Sequence, residues 1–304
     1  MNHSVTTLTR PMAAPKPAHE PLVVIQAGQR GAVPLFCIAG AGASVSCFFD
    51  MSVGLPTSMP IFGLQARGVE GADAPYASVE EAAEAYVQAI RKVRPNGPYR
   101  VLGHSFGGWI ALEVCLRLEA QGHAVDRLYV VDSRGPDTEA TPKNIDRAAA
   151  LDMLVELYNM ALVRPVRLPP GSFQTLDDAA QLRLLHRELV ASGLFHPNNP
   201  VQTLQGVVQV FHRNVATRYV PVSRRSGRTC LVNAVDGEPD REDHLARWSA
   251  LAPATIEVLL PGNHITMLSG PHGHDFGRWL GQDLATPEGA AAPIGSTHAN
   301  GGTR

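Results

Sequence analysis

Gly103-His104-Ser105-Phe106-Gly107 sets a serine between two glycines, with an apolar run (Tyr99-Arg100-Val101-Leu102) before it and a helix-like segment, 108–115, after it. A G-x-S-x-G sequence at a strand-to-helix turn is the pattern of a nucleophile elbow. The turn is so tight that the serine backbone is strained and its neighbours must lack bulk. The hydroxyl then projects above the sheet, and the amide of the next residue points at a developing oxyanion. Gly and Ser are common, so the pentapeptide alone carries little weight. With its flanking strand and helix it predicts a serine acyl-transfer enzyme with Ser105 as nucleophile.

A serine hydroxyl is a poor nucleophile at neutral pH. It needs a base, and the base needs an orienting carboxylate. The expected chain order is Ser, then Asp or Glu, then His. Of the twelve histidines, eight precede the last apolar β-run, 255–260. His298 lies in the tail, and His272 and His274 fall at the start of the last helical stretch. His264, in Leu260-Pro261-Gly262-Asn263-His264, follows that β-run in a glycine-containing loop and is the predicted base. His104 adjoins the nucleophile, but its side chain should point away from the hydroxyl and pack. Two aspartates suit the acid. Asp132 ends the run Val130-Val131-Asp132, and Asp236 follows Leu231-Val232-Asn233-Ala234-Val235. Spacing leaves both open.

The oxyanion hole needs two amides, one from Phe106 and one from the loop after the second strand. That loop is Ala39-Gly40-Ala41-Gly42-Ala43, where small residues permit close backbone approach, and Ala41 is the assigned donor. A dinucleotide-binding loop would need G-x-G-x-x-G, and the third glycine is missing.

The elements that must position these residues alternate along the chain. Strands are predicted at 22–26, 33–38, 60–65, 99–102, 127–132, 228–234 and 255–260. Ser78-Val79-Glu80-Glu81 reads as a capping box before a helix over 79–93. Pro95-Asn96-Gly97-Pro98 ends it. A helix follows the elbow to about Gly122, and another covers 272–284. Strands alternating with helices predict an α/β fold with a mostly parallel sheet covered on both faces. From 145 to 219 the alternation stops. Helical patterns at 145–162, 176–194 and 206–217 predict an insertion (about 140–220) over one edge of the sheet, acting as a lid on the active site.

With 304 residues and 44% hydrophobic content, the chain can bury one large core. Residues 1–20 and 287–304 have the composition of disordered ends; 21–286 form the folded unit. With a net charge of −2, nothing in the composition points to a nucleic-acid partner. No apolar run is long enough to span a bilayer, and no secretory h-region stands at the start. Cys37, Cys47, Cys115 and Cys230 show no C-x-x-C pairing. A reducing cytoplasm is the expected compartment. No metal or bound cofactor is expected.

Phe62-Gly63-Leu64-Gln65-Ala66-Arg67-Gly68, the Ser78 capping box, Arg94-Pro95-Asn96-Gly97-Pro98-Tyr99-Arg100 and Gly103-His104-Ser105-Phe106-Gly107-Gly108 occur in that order. Together they resemble the thioesterase domain that ends nonribosomal peptide synthetases and polyketide synthases. The resemblance covers about 21–284 and is densest over 34–136. It implies an alpha/beta-hydrolase fold with a helical lid. It also implies an acyl or peptidyl carrier protein as partner, its phosphopantetheine arm delivering the chain to the serine. Release by water or by an internal nucleophile follows. In that family the aspartate stands in a segment like Val131-Asp132-Ser133-Arg134-Gly135-Pro136, which makes Asp132 the first choice and Asp236 the reserve. Arg67 belongs to the shared pattern as a structural residue. One departure is Ala39-Gly40, where many members have His-Pro. The competing readings are a general carboxylesterase or lipase of the same fold, and a non-catalytic ligand-binding protein. An intact Ser105, His264 and carboxylate argue against the second.

Overall fold

A computed structural model of the chain describes residues 19–71, 73–136, 144–237 and 240–286. The tail expected to be disordered, and all but the last two residues of the N-terminal segment, lie outside the described residues. Seven strands form one sheet: β1 (Leu22–Gln26), β2 (Leu35–Ile38), β3 (Ile61–Leu64), β4 (Tyr99–His104), β5 (Val125–Val131), β6 (Thr229–Ala234) and β7 (Thr255–Leu260). The spatial order is β1-β3-β2-β4-β5-β6-β7. β1 pairs antiparallel with β3, and every other pairing is parallel. The helices are α1 (Phe49–Val53), α2 (Val79–Val93), α3 (Gly107–Ala120), α4 (Arg147–Asn159), α5 (Asp178–Ser192), α6 (Thr203–Val215), α7 (Arg241–Leu251) and α8 (Gly270–Ala285).

Central strands covered on both faces must be apolar on both. In β5, Leu128 and Val130 enter one core with Tyr86, Ile90, Leu112 and Trp248 from α2, α3 and α7. The alternate residues Tyr129 and Val131 enter a second core with Met51, Phe276 and Leu280 from α1 and α8. The two-residue period of a strand separates the two sets.

The Ser78 hydroxyl accepts the Glu81 amide at 3.2 Å, capping α2 as the sequence predicts. The Glu81 carboxylate returns to the Ala77 amide at 2.6 Å, one residue upstream of the usual reciprocal bond. Arg67 donates to the Ala74 and Pro75 carbonyls and to Glu81, and lies 4.3 Å from the Tyr76 ring centroid. These partners tie the loop after β3 to the start of α2.

Strand register decides what stands at one rim. Ile38 pairs with Gly103, His104 with Val131, Val131 with Val232 and Ala234 with Leu260. The C-terminal ends of five neighbouring strands therefore lie side by side. Ligands of open α/β sheets bind at this end.

The helical block comprises α4, α5 and α6 and has a core of its own, built on Leu151, Leu154, Phe173, Leu185, Leu189, Leu204 and Phe211. The expectation that it lies over a sheet edge needs correcting. It joins β5 to β6, which are neighbours inside the sheet, so it rises from within the rim. Residues 140–143 of that expected insertion lie outside the described residues.

Two helices are absent from the sequence expectations. α1 has only five residues, too few to show a period. α7 packs Leu245, Trp248 and Leu251 against the core, an apolar stripe of three residues, too short to stand out as a period. The four cysteines are unpaired, and burial pushes the thiols of Cys47 and Cys115 up to about 12.

Candidate active site

Ser105 follows the last residue of β4 and precedes α3. Its φ is +54°, in the region that L residues avoid. Its amide donates to the Val131 carbonyl at 2.8 Å, and its carbonyl accepts the Gly108 amide at 2.9 Å. The elbow closes only because Gly107 has no side chain. A Cβ there would stand 2.4 Å from the Ile38 carbonyl oxygen. Gly40 approaches from β2, and a Cβ on it would meet the Ser105 Cβ at 3.1 Å.

His264 lies in the loop after β7 and donates from Nδ1 to Asp132 Oδ2 at 2.7 Å. Asp132, directly after β5, has φ +42°. With Ser105 it completes the set of non-glycine residues at positive φ among the described residues. The other carboxylate oxygen, Oδ1, accepts the Ala234 amide at 2.9 Å. Burial pushes the Asp132 carboxyl up, but the hydrogen bonds from His264 and Ala234 and the nearby imidazoles outweigh it and hold its pKa below the usual value. Asp236 is placed otherwise. Its amide donates to the Gly262 carbonyl at 3.0 Å in a turn after β6, and its side chain is exposed.

His104 is buried, with 5% of its surface exposed. Its Nε2–H donates to the His264 carbonyl at 2.9 Å, and the two rings lie 4.8 Å apart. Burial, and then the charge of His264, push its pKa down to about 3. His104 is therefore a neutral donor that supports the histidine loop from below.

Ser105, Asp132, His264, Phe106 and Ala41 all line one cavity of about 470 Å³. Among the described residues neither the Ala41 nor the Phe106 amide donates to a protein acceptor. Met153 and Leu157 of α4, Met160 at its C-terminal cap, and Phe211 and Val215 of α6 make a mostly apolar wall that also carries the Glu156 carboxylate. Trp109, Ser133, Arg134, Asn233, Arg241 and His244 make a more polar side opposite. Among the described residues no group of three or more His, Cys, Asp or Glu is placed to hold a metal ion. Likewise no helix of the described residues is long and apolar enough to cross a membrane.

Nothing in the sequence pattern singles out Asn263, yet it meets both the histidine loop and α4. Its Nδ2 donates to the Met160 carbonyl at 2.7 Å. Its one visible signal is position, beside His264 in the loop after β7.

The arrangement can perform nucleophilic acyl transfer. A serine stands at a tight turn, and an imidazole is fixed by a carboxylate in the same cavity. Two small or backbone-rich segments flank it. A family model described as a thioesterase domain matches residues 33–273. The nonribosomal peptide synthetase ucdA of Aspergillus ustus is 28% identical over 286 residues, covering 88% of this chain and 29% of that protein. A dimodular nonribosomal peptide synthase of Bacillus subtilis is 36% identical over 195 residues, covering 60% of this chain and 8% of that protein. The chain thus spans less than a third of the length of these relatives. Among solved structures it is similar to the NocB thioesterase domain in covalent complex with a fluorophosphonate nocardicin G analogue. The TM-score is 0.62 at 23% identity, with 87% of this chain and 100% of that one covered. It is also similar to part of a four-domain nonribosomal peptide synthetase, with a TM-score of 0.77 at 23% identity over 88% of this chain and 20% of that one. These likenesses carry the alpha/beta-hydrolase fold.

Proposed function

The chain belongs to the thioesterase domain family, and from that premise we propose that it releases an acyl chain, peptidyl or polyketide, from the phosphopantetheine arm of a carrier protein through an acyl-enzyme on Ser105. The observation that carries the reading is the 2.7 Å contact of His264 Nδ1 with Asp132, in the cavity that Ser105 lines.

The steps follow from that contact. Asp132 holds the proton of His264 on Nδ1, which leaves the Nε2 lone pair for the serine. Ser105 Oγ attacks the thioester carbonyl as His264 takes its proton. Negative charge gathers on the carbonyl oxygen, where the Phe106 and Ala41 amides receive it, each donor contributing about 3 kcal/mol. The C–S bond breaks, the imidazolium returns its proton to the departing thiolate, and the acyl group stays on Ser105. Water, or a hydroxyl or amine of the chain itself, then attacks with the same base. Asp132 favours the imidazolium throughout because its carboxyl stays ionised.

The apolar wall from α4 and α6 suits an acyl chain, and the polar side opposite suits a chain with polar groups. Mass spectrometry of the protein after incubation with a panel of acyl-pantetheine thioesters tests the reading. Acylation of Ser105, followed by release as acid or ring, is the expected result. Turnover of simple alkyl esters far above the thioesters would favour a carboxylesterase. Failure of Ser105 to react with either, or with a fluorophosphonate, would leave a ligand-binding protein.

A further inference from the structure

Asn263 makes two kinds of contact with different parts of the molecule. Its Oδ1 accepts the amides of Ile265 at 3.1 Å and Thr266 at 2.9 Å, and the Thr266 hydroxyl at 3.0 Å. The Thr266 hydroxyl oxygen accepts the Asn263 amide at 2.9 Å in return. These bonds close the turn that carries His264. They also fix the orientation of the side-chain amide, since every partner of Oδ1 is a donor. The NH2 group is thereby turned outward, and it meets the Met160 carbonyl.

Met160 is the C-terminal cap of α4, where a helix leaves carbonyls without intrahelical partners. Asn263 takes one of them. Met160 also lines the cavity with Leu157 and Met153 of the same helix. On its far side the loop after α4 is closed by Asn159, which exchanges two hydrogen bonds with Val166. The helix end that meets the acyl chain is thus tied through one side chain to the turn beside His264.

We propose that Asn263 is a positioning residue that couples the α4 wall of the lid to the catalytic histidine. Occupancy of that wall by an acyl chain steadies the end of α4, and Asn263 transmits this to the His264 turn. His264 has two other anchors, Asp132 on its ring and His104 on its carbonyl. Neither is a hydrogen bond to the lid, and among the described residues the Asn263 to Met160 bond is the hydrogen bond that joins the substrate wall to the turn of the base. The inference rests on the acyl-enzyme reading above.

Side-chain chemistry separates the link from the turn. N263S keeps a short oxygen acceptor for the following amides but cannot reach Met160. N263D keeps the turn and sets an oxygen against the Met160 carbonyl. N263A loses both. The expected result for N263S and N263D is a kcat about tenfold lower for acyl-pantetheines long enough to lie along α4, KM staying within about twofold. Acetyl-pantetheine, with an acyl group of only two carbons, changes much less. Wild-type kcat for long and short chains matched by N263S and N263D would overturn the coupling, as would equal losses on both chains.

Hydrogen–deuterium exchange gives a readout that needs no turnover. N263S should raise exchange at 157–162 and at 262–268 together. A rise confined to 262–268 would reduce Asn263 to a turn residue. If the wild-type protein fails to acylate Ser105, the functional reading fails, and the exchange result still decides the link.

Discussion

His264 Nδ1 donates to Asp132 Oδ2 at 2.7 Å from a strand two places away in the sheet, and Asp132 reaches it from a backbone turned to φ +42°. β5 and β7 flank β6, so the carboxylate crosses the end of β6 and takes the Ala234 amide on the way. One carboxylate therefore fixes the tautomer of the imidazole and is itself fixed by a strand end.

Removing the charge at each aspartate separates the two candidate acids. D132N presents either an NH2 to Nδ1 or a poorer acceptor, and the tautomer that leaves Nε2 free is no longer favoured. Acylation of Ser105 should fall by roughly 10³ to 10⁴. D236N alters an exposed turn, and its rate should stay within about twofold of wild type. Stopped acylation followed by mass spectrometry reads both variants. A severe loss in D236N with a mild one in D132N would move the acid to Asp236.

Gly40 lies against Ser105, and adding one carbon there probes how closely the loop after β2 must approach. The new Cβ of G40A would meet the Ser105 Cβ at 3.1 Å and His104 Nδ1 at 3.3 Å. Both are tighter than ordinary packing, so the loop or the elbow must shift by a few tenths of an ångström. Displacements of that order at a reacting centre reduce rate more than binding. A fall in kcat of roughly tenfold with little change in KM is expected, since a full 1 Å error costs on the order of 100-fold. Thermal melting should show the fold intact. An unchanged kcat would mean that the loop has no part in holding the reacting carbonyl.

His104 makes stability depend on pH in a known direction. Its native pKa is pushed down to about 3, well below the ordinary histidine value of 6.5. Below pH 6.5 the unfolded chain takes up a proton that the native protein refuses. The contribution is complete above 6.5 and is lost progressively as pH falls toward 3. Between pH 6.5 and 5 it amounts to at most about 2 kcal/mol. Asp132, with its carboxyl held down, adds a loss of the same sign only at still more acid pH. H104Q keeps a donor for the His264 carbonyl and has no proton to gain. Urea unfolding at pH 7 and pH 5 should show a smaller drop for H104Q than for wild type. Equal drops would mean that the buried ring is not the source.

The sequence made the sheet legible where side-chain pattern and turn chemistry agree. α2 runs from its Ser78 cap to just before Pro95, as its spacing predicts. The strand ends that carry Ser105 and Asp132 follow continuous apolar runs. Spacing alone left Asp132 and Asp236 open, because both follow parallel strands that end at the same rim, and only the family resemblance put Asp132 first. What distinguishes them is backbone direction: Asp132 turns back over β6, whereas the Asp236 amide is drawn toward Gly262. α7 was hidden by its short apolar stripe. Asn263 was hidden because its partner lies 103 residues away, and no local rule reports such a pair.

Leu157 lines the α4 side of the cavity. It stands four residues after Met153 and three before Met160, so the three side chains stack along one face of the α4 end. L157W fills space between that face and Ser105. Acyl-pantetheines long enough to lie along α4 should lose at least tenfold in kcat/KM, because a single methylene of misfit in an apolar pocket is worth roughly tenfold or more. Acetyl-pantetheine, whose acyl group has only two carbons, should lose far less. L157A should do the opposite for bulkier chains, which gain the vacated volume. A length series of acyl-pantetheines assayed on both variants gives the comparison. If L157W and L157A treat long and short chains alike, the chain does not lie along α4, and the polar side between Trp109 and Arg241 becomes the wall that selects it.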